Sequence, residues 1–170
     1  MTFEEFVTNS YEALARYARL LSASREDADD LLAESLLVAH RHWHRIGSMA
    51  FPAAYVRRIV STRHLRINTS WFRRNVDVMD PQQLPDGVID DELTRSIDRD
   101  ELAAWLAGLP VRQRTAVVLR YFSGLGYAEI AAELSVSPTG ARTLVSRGLA
   151  ALRLAGAADR ATETQLMGKP

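Results

Sequence analysis

Between Gly126 and Arg153 the apolar residues fall into two runs of helical spacing separated by a tight turn, and few folds satisfy that arrangement. Ala128, Ile130, Ala131 and Leu134 make one face of a short helix, Val136 fills the turn, and Ala141, Leu144 or Val145, and Leu149 make one face of a second helix. Ser137 followed by Pro138 reads as an N-cap and first-turn pair. With the apolar faces turned inward, Ser137, Thr139, Arg142, Thr143, Ser146 and Arg147 are left pointing outward. That is the signature of a helix-turn-helix, whose second helix presents its N-terminal half to the major groove of duplex DNA. Hydroxyls and arginines at a helix start suit phosphate oxygens and guanine edges. A plain helical hairpin with a solvated arginine face has the same periodicity, so spacing alone leaves both readings open. Gly140, at the third position of the second helix, is expected to weaken its start by up to about 1 kcal/mol relative to alanine.

The rest of the chain is also helical in pattern, with no period-two alternation, so the expected fold class is all-α, without a β-sheet. A first helix is predicted from about Thr2 to Leu21, with Phe3, Val7, Leu14, Ala18 and Leu21 facing inward. Ser24 and Asp27 look like a capping box with Asp in place of Glu, opening a second helix that carries Ala28, Leu31, Leu32, Ser35, Val38 and Ala39 inward until Gly47 stops it. Pro52 suits the first turn of a third helix with Tyr55, Val56, Ile59 and Val60 as its stripe. Pro81, Pro85 and Gly87 interrupt any periodicity from Asn75 to about Ile89, which reads as a linker. Helical pattern resumes near Asp91 and breaks at Gly108 and Pro110; a further helix from Pro110 to Tyr121 leads into the helix-turn-helix, whose last helix is expected to reach about Leu154. The predicted organisation is two small helical domains, 1–75 and 97–155, joined by an acidic linker, 76–96, and followed by a flexible tail, 156–170.

A net charge of zero conceals alternating blocks: residues 1–40 carry −5, 41–75 carry +8 with no acidic side chain, 76–101 carry −7 and 102–160 carry +4. Such a chain can meet a basic protein with one surface and a polyanion with another. All but one of the 21 basic residues are arginine, which favours bidentate contacts to phosphates and bases. The absence of cysteine excludes disulfides, thiol catalysis and thiolate zinc sites. No stretch approaches the roughly eighteen apolar residues of a membrane span, and Glu4 and Glu5 stand where a signal peptide needs a basic and then an apolar run, so no membrane association and a cytoplasmic location are expected. His40, His42, His44 and His64 read as surface histidines, because no carboxylate completes a ligand set; no metal, no cofactor and no small-molecule substrate are expected. No nucleophile–base order or phosphate-binding glycine loop is present, so the chain is not expected to be an enzyme.

The residues from Gly126 to Leu134 (Gly-Tyr-Ala-Glu-Ile-Ala-Ala-Glu-Leu), then Val136-Ser137, Ser146-Arg147 and Leu149 to Arg153, resemble region 4 of extracytoplasmic-function sigma factors, with Leu109 to Tyr121 similar to that domain's lead-in. This half also resembles the DNA-binding domain of LuxR-type regulators, and the N-terminal half distinguishes them. Asp27 to Ser35, followed by Ala39-His40-Arg41-His42-Trp43, resembles region 2.2, and Pro52 to Val60 with Trp71-Phe72-Arg73-Arg74 is similar to the promoter-opening part of region 2 in an actinobacterial, SigE-like branch.

The resemblance implies a sigma factor that brings core RNA polymerase to promoters and opens them. It implies polymerase binding through Asp27, Asp30, Leu31 and Glu34 on the largest-subunit clamp, with the flap region as a further contact. It implies contacts to the upstream −35 element from Ser137, Thr139, Arg142, Thr143, Ser146 and Arg147. For the −10 element, Tyr55, Arg57, Arg58, Thr62, Arg63, Arg66, Trp71, Arg73 and Arg74 mix arginines that track a backbone with aromatic faces that stack on unpaired bases. Tyr55 reads equally well as a core residue. Promoter DNA, core polymerase and an anti-sigma factor are the partners this implies. The rivals are a helix-turn-helix regulator acting without polymerase, and a sigma-like adaptor or antagonist without promoter recognition.

Overall fold

The computed structural model describes residues 1–68 and 99–167, which form eight helices: α1 (Phe3–Leu21), α2 (Arg25–Arg41), α3 (Trp43–Ile46), α4 (Pro52–Asn68), α5 (Arg99–Ala107), α6 (Val111–Phe122), α7 (Tyr127–Leu134) and α8 (Pro138–Met167). No strand occurs among the described residues. Thr2 and Glu5 close a reciprocal capping box at the start of α1, with Thr2 Oγ1 accepting from Glu5 N at 3.1 Å and Glu5 Oε2 accepting from Thr2 N at 2.8 Å. At α2 the Ser24 hydroxyl accepts from Asp27 N at 3.0 Å and donates to the Asp27 carboxylate at 2.6 Å. Aspartate is shorter than glutamate, and here its carboxylate meets the cap's side chain.

The second predicted helix does not run unbroken to Gly47. It ends at Arg41, His42 leaves the helical conformation, and a single turn, α3, follows. The break turns Trp43 onto α1, where its ring lies 4.7 Å from that of Phe6 and 5.3 Å from that of Phe3. Gly47 is required by the same indole: a Cβ there would meet Trp43 Nε1 at 2.9 Å.

Aliphatic and aromatic side chains from both halves of the chain share one core. Phe6, Leu14, Leu21, Leu32, Ile46, Val56 and Val60 pack with Leu106, Leu109, Val117, Val118 and Phe122. Each side chain so buried contributes roughly 1.5–3 kcal/mol. A second core lies within the helix-turn-helix, built from Ala116, Leu119, Ile130, Ala131, Leu134, Ala141 and Val145, and α4 inserts Leu65 into it. The two halves are therefore packed on each other.

Three arginines of α6 each satisfy carbonyl groups where a helix or turn leaves them without a partner. Arg112 donates to Leu134 O at the end of α7 at 2.6 Å, and Arg120 donates to Leu125 O at 3.0 Å. Arg114, only 4% exposed, donates to Leu21 O at 2.9 Å, Ala107 O at 3.1 Å and Leu109 O at 3.2 Å, which ties the ends of α1 and α5 to α6.

The last helix continues past Leu154 to Met167, so residues 156–167 are helical where the sequence suggested a tail. Buried Gly156 explains part of the extension, since a Cβ there would stand 3.0 Å from the Trp105 ring of α5. Gly148 is tighter still, with an added Cβ meeting Val117 Cγ2 at 2.6 Å and Gln113 O at 3.3 Å. The backbones of α6 and α8 approach through this gap. Gly148→Ala is expected to destabilise the fold by about 1–3 kcal/mol through overpacking, despite alanine's better helix propensity. Thermal denaturation measures it, and an unchanged midpoint would mean that α6 and α8 can part at no cost.

Candidate nucleic-acid interface

The helix-turn-helix is closed by local chemistry. Glu129 Oε2 accepts from Gly126 N at 2.6 Å at the start of α7. Ser135 ends α7 in the left-handed conformation, φ 49° and ψ 54°, which lets Val136 N donate to Ala131 O at 3.0 Å and turns Val136 toward the second core. Ser137 caps α8, its hydroxyl accepting from Gly140 N at 3.0 Å. A Cβ on Gly140 would lie 3.2 Å from that hydroxyl and 3.4 Å from Val136 Cβ. The glycine that weakens the helix start in isolation thus accommodates its cap.

Ala141 and Val145 are buried on the inner side of α8, and Leu144 is half-buried, which resolves the open choice between Leu144 and Val145 in favour of the latter as the core residue. Ser137, Thr139, Arg142, Thr143, Ser146 and Arg147 are all exposed. Thr143 donates back to Thr139 O at 2.9 Å, leaving its oxygen able to accept. Neither Arg142 nor Arg147 enters an ion pair among the described residues. Arg142 is instead held over the Tyr127 ring, its guanidinium carbon 5.1 Å from the centroid, and Arg120 lies at the same distance from that ring. Such contacts contribute about 0.5–1 kcal/mol at exposed sites. Arg120 and Tyr127 thus border the face, although sequence reasoning gave neither a role; they lie outside the recognition helix and meet it only through the fold.

The acidic candidates of α2 separate. Asp27 and Asp30 are exposed, whereas Leu31 is 3% exposed in the shared core and can serve a partner only by holding α2 in place. Glu34 accepts from Arg63 Nε at 2.9 Å, so a proposed polymerase contact and a proposed strand contact are joined.

On α4 the residues are more enclosed than the sequence suggested. Tyr55, Arg57, Thr62 and Arg63 are half-buried, Tyr55 against the shared core, and Arg66 is exposed. Arg58 forms an ion pair with Glu133 of α7 at 2.8 Å. Burial pushes the Glu133 carboxyl above its ordinary value, with Arg58 pulling it back. Burial lowers Arg57, with the Tyr17 phenol opposing. Tyr17, whose own phenol burial pushes up, joins its hydroxyl to Ser61 of α4 at 2.5 Å and to Ser123, beyond α6, at 2.8 Å. Trp71, Arg73 and Arg74 lie outside the described residues.

Among the described residues no group of three or more His, Cys, Asp or Glu is arranged to hold a metal ion, and no helix is long and apolar enough to cross a membrane. His40, His42 and His44 are exposed, but His64 is not the surface residue expected: α4 buries it, 4% exposed, beside Arg114. Burial, with the Arg114 charge adding to it, lowers its imidazole from 6.5 to about 4. The unfolded chain takes up this proton near the ordinary value and the folded chain only near 4, so stability is expected to fall as pH drops through 6.5 and to level off below 4. The loss is on the order of 3 kcal/mol. Urea denaturation of wild type and His64→Gln between pH 7 and 4 measures it, and two parallel profiles would refute the assignment.

Residues 99–152 match the family described as sigma-70, region 4. The chain is 34% identical over 154 residues to the RNA polymerase sigma-E factor of Streptomyces avermitilis, covering 90% of this chain and 84% of that protein. It is 31% identical over 145 residues to the ECF RNA polymerase sigma factor SigL of Mycobacterium tuberculosis, covering 83% and 81% respectively. Among solved structures, the sigma factor RpoE from Bartonella quintana in complex with the anti-sigma factor NepR is similar in fold, with a TM-score of 0.56 at 22% identity over 90% of this chain and 95% of that one.

Proposed function

Because this chain belongs to the extracytoplasmic-function RNA polymerase sigma factors, we propose that α8 reads the −35 element of a promoter while α2 holds core polymerase and α4 with the segment after it opens the −10 element. The observation that carries the reading is the outward face of α8. Six side chains of hydrogen-bonding or cationic type are exposed together, with no carboxylate among them and with Arg142 pre-positioned on an aromatic ring. Such a face enters a major groove with arginines directed at guanine edges or phosphates and hydroxyls at the backbone.

Asp27, Asp30 and Glu34 meet the polymerase clamp, with Leu31 packed beneath them. Arg57, Arg58, Arg63 and Arg66 follow the single strand, and Trp71 and Tyr55 offer aromatic faces to unpaired bases; Thr62, Arg73 and Arg74 add to that set. Holding a base out of the stack offsets the few kcal/mol that unpairing costs. Residues 1–75 and 97–155 act as the two working modules, and the acidic residues 76–96 as the tether. Catalysis remains the polymerase's; the chain works in the cytoplasm, and an anti-sigma factor is its regulatory partner.

Run-off transcription with core enzyme and a randomised promoter library tests this. A discrete set of enriched promoters is expected, and no transcript above that of core alone would sink it. Arg147→Ala is expected to weaken −35 duplex binding and to lower the salt slope of log K by about one unit. An unchanged slope would remove Arg147 from the phosphate interface.

A further inference from the structure

The hydrogen-bonding polarity of the α8 face is set inside the helix itself. At 3.6 residues per turn, Thr139, Thr143, Ser146 and Ala150 fall in one exposed row, with Arg142 on one side of it and Arg147 on the other. The row is short and the flanks are long, so the arginines can reach the walls of a groove while the row comes closest to its floor. Ser137 spends its oxygen, accepting from Gly140 N at 3.0 Å, and keeps its proton to donate. Thr143 does the reverse: its proton goes to Thr139 O at 2.9 Å, and only the lone pairs of its oxygen remain. The two guanidinium groups donate and never accept. No carboxylate or side-chain amide occurs from Ser137 to Arg153. Among the described residues, Thr143 is therefore the side chain of this face that is left to accept alone.

We propose that Thr143 is a base-reading residue of the −35 contact and selects an exocyclic amino group, the N6 of adenine or the N4 of cytosine, at one position of the element. The inference rests on the assignment of α8 to the −35 duplex. Phosphate oxygens only accept, so a hydroxyl that serves the DNA backbone has to donate, and Thr143 has no proton to give. In the major groove those two amino groups are the donors; guanine offers O6 and N7, and thymine O4, all of them acceptors. An acceptor-only hydroxyl therefore pairs with adenine or cytosine, and against guanine or thymine it sets two acceptors in opposition. Turning the proton outward to serve guanine or thymine would break the bond to Thr139 O, so the helix itself biases the choice. Arg142 and Arg147 cannot supply this preference, because their donors favour guanine or phosphate.

A duplex library randomised across the −35 element, bound by the full chain with core polymerase and sequenced before and after selection, tests the assignment. Wild type is expected to enrich adenine or cytosine at one position by about fivefold over guanine and thymine, the discrimination that one neutral hydrogen bond gives. Thr143→Val keeps the shape without the acceptor and is expected to lose that preference. Thr143→Ser, which can make the same bond to Thr139 O, is expected to keep it. At the selected position, replacing adenine by purine, or cytosine by pyrimidin-2-one, removes the amino group alone. The replacement is expected to weaken binding by wild type and by Thr143→Ser about fivefold, and to make no difference to Thr143→Val. Identical base profiles for wild type and Thr143→Val would overturn the proposal. So would a wild-type preference for guanine or thymine at the position that Thr143→Val alters, or a loss in Thr143→Val that is equal on all sequences. Failure of the sigma assignment would register separately, as wild-type chain and core enzyme that enrich no sequence at all.

Discussion

A single buried guanidinium organises how the two halves of this chain meet. Arg114 of α6 places its donors on Leu21 O at the end of α1 and on Ala107 O and Leu109 O around the end of α5. Helix C-termini leave carbonyls without partners and carry the negative end of the helix dipole, so a cation there meets both needs. Burial lowers the Arg114 pKa, yet the carbonyls keep much of the charge hydrogen-bonded. Removing the arginine would leave those carbonyls enclosed in a core too dry to hydrate them. Phe6, Leu14 and Val56 share a core with Leu106 and Val118 across the same two halves.

The same helix positions the outward face of α8. Arg112 closes the end of α7, Arg120 holds the turn at Leu125 and approaches Tyr127, and the missing side chain of Gly148 lets α8 lie close to α6. Burying Ala141 and Val145 then commits the outer side chains of α8 to solvent. That outward face is thus a by-product of the packing beneath it. Helix α4 is treated oppositely: Val56, Val60, His64 and Leu65 are buried, and two of its arginines are met by carboxylates from other helices. One chain thus leaves the polar face of α8 open while two arginines of α4 are engaged.

Periodicity carried the helices well where one face is apolar and the other polar. The α8 face was legible because Ala141, Val145 and the six outward residues alternate at helical spacing, and α1 because Leu14, Ala18 and Leu21 do. It failed at His42, where the chain breaks so that Trp43 can reach Phe3 and Phe6, since no local signal says what an aromatic ring forty residues away needs. Leu31 has an inward position by periodicity and a contact role only by resemblance, and the structure places it in the core as periodicity expects. His64 read as a surface histidine beside arginines, and is buried near Arg114, 50 positions away along the chain.

The sequence by itself determined the helical class, the helix-turn-helix and the outward position of its six polar residues, because each depends on neighbours within one or two helical turns. It also determined the segregation of charge into acidic and basic blocks. Only the tertiary structure decided which of those charges remain available. Arg58 and Glu133 are 75 positions apart, and Leu21 and Arg114 are 93 apart, so their partnerships exist only once the halves are packed. Hydrogen bonds and ion pairs act over a few ångströms of space, whereas helical periodicity acts along the chain; the former therefore decided which of this protein's charged side chains are open and which are held.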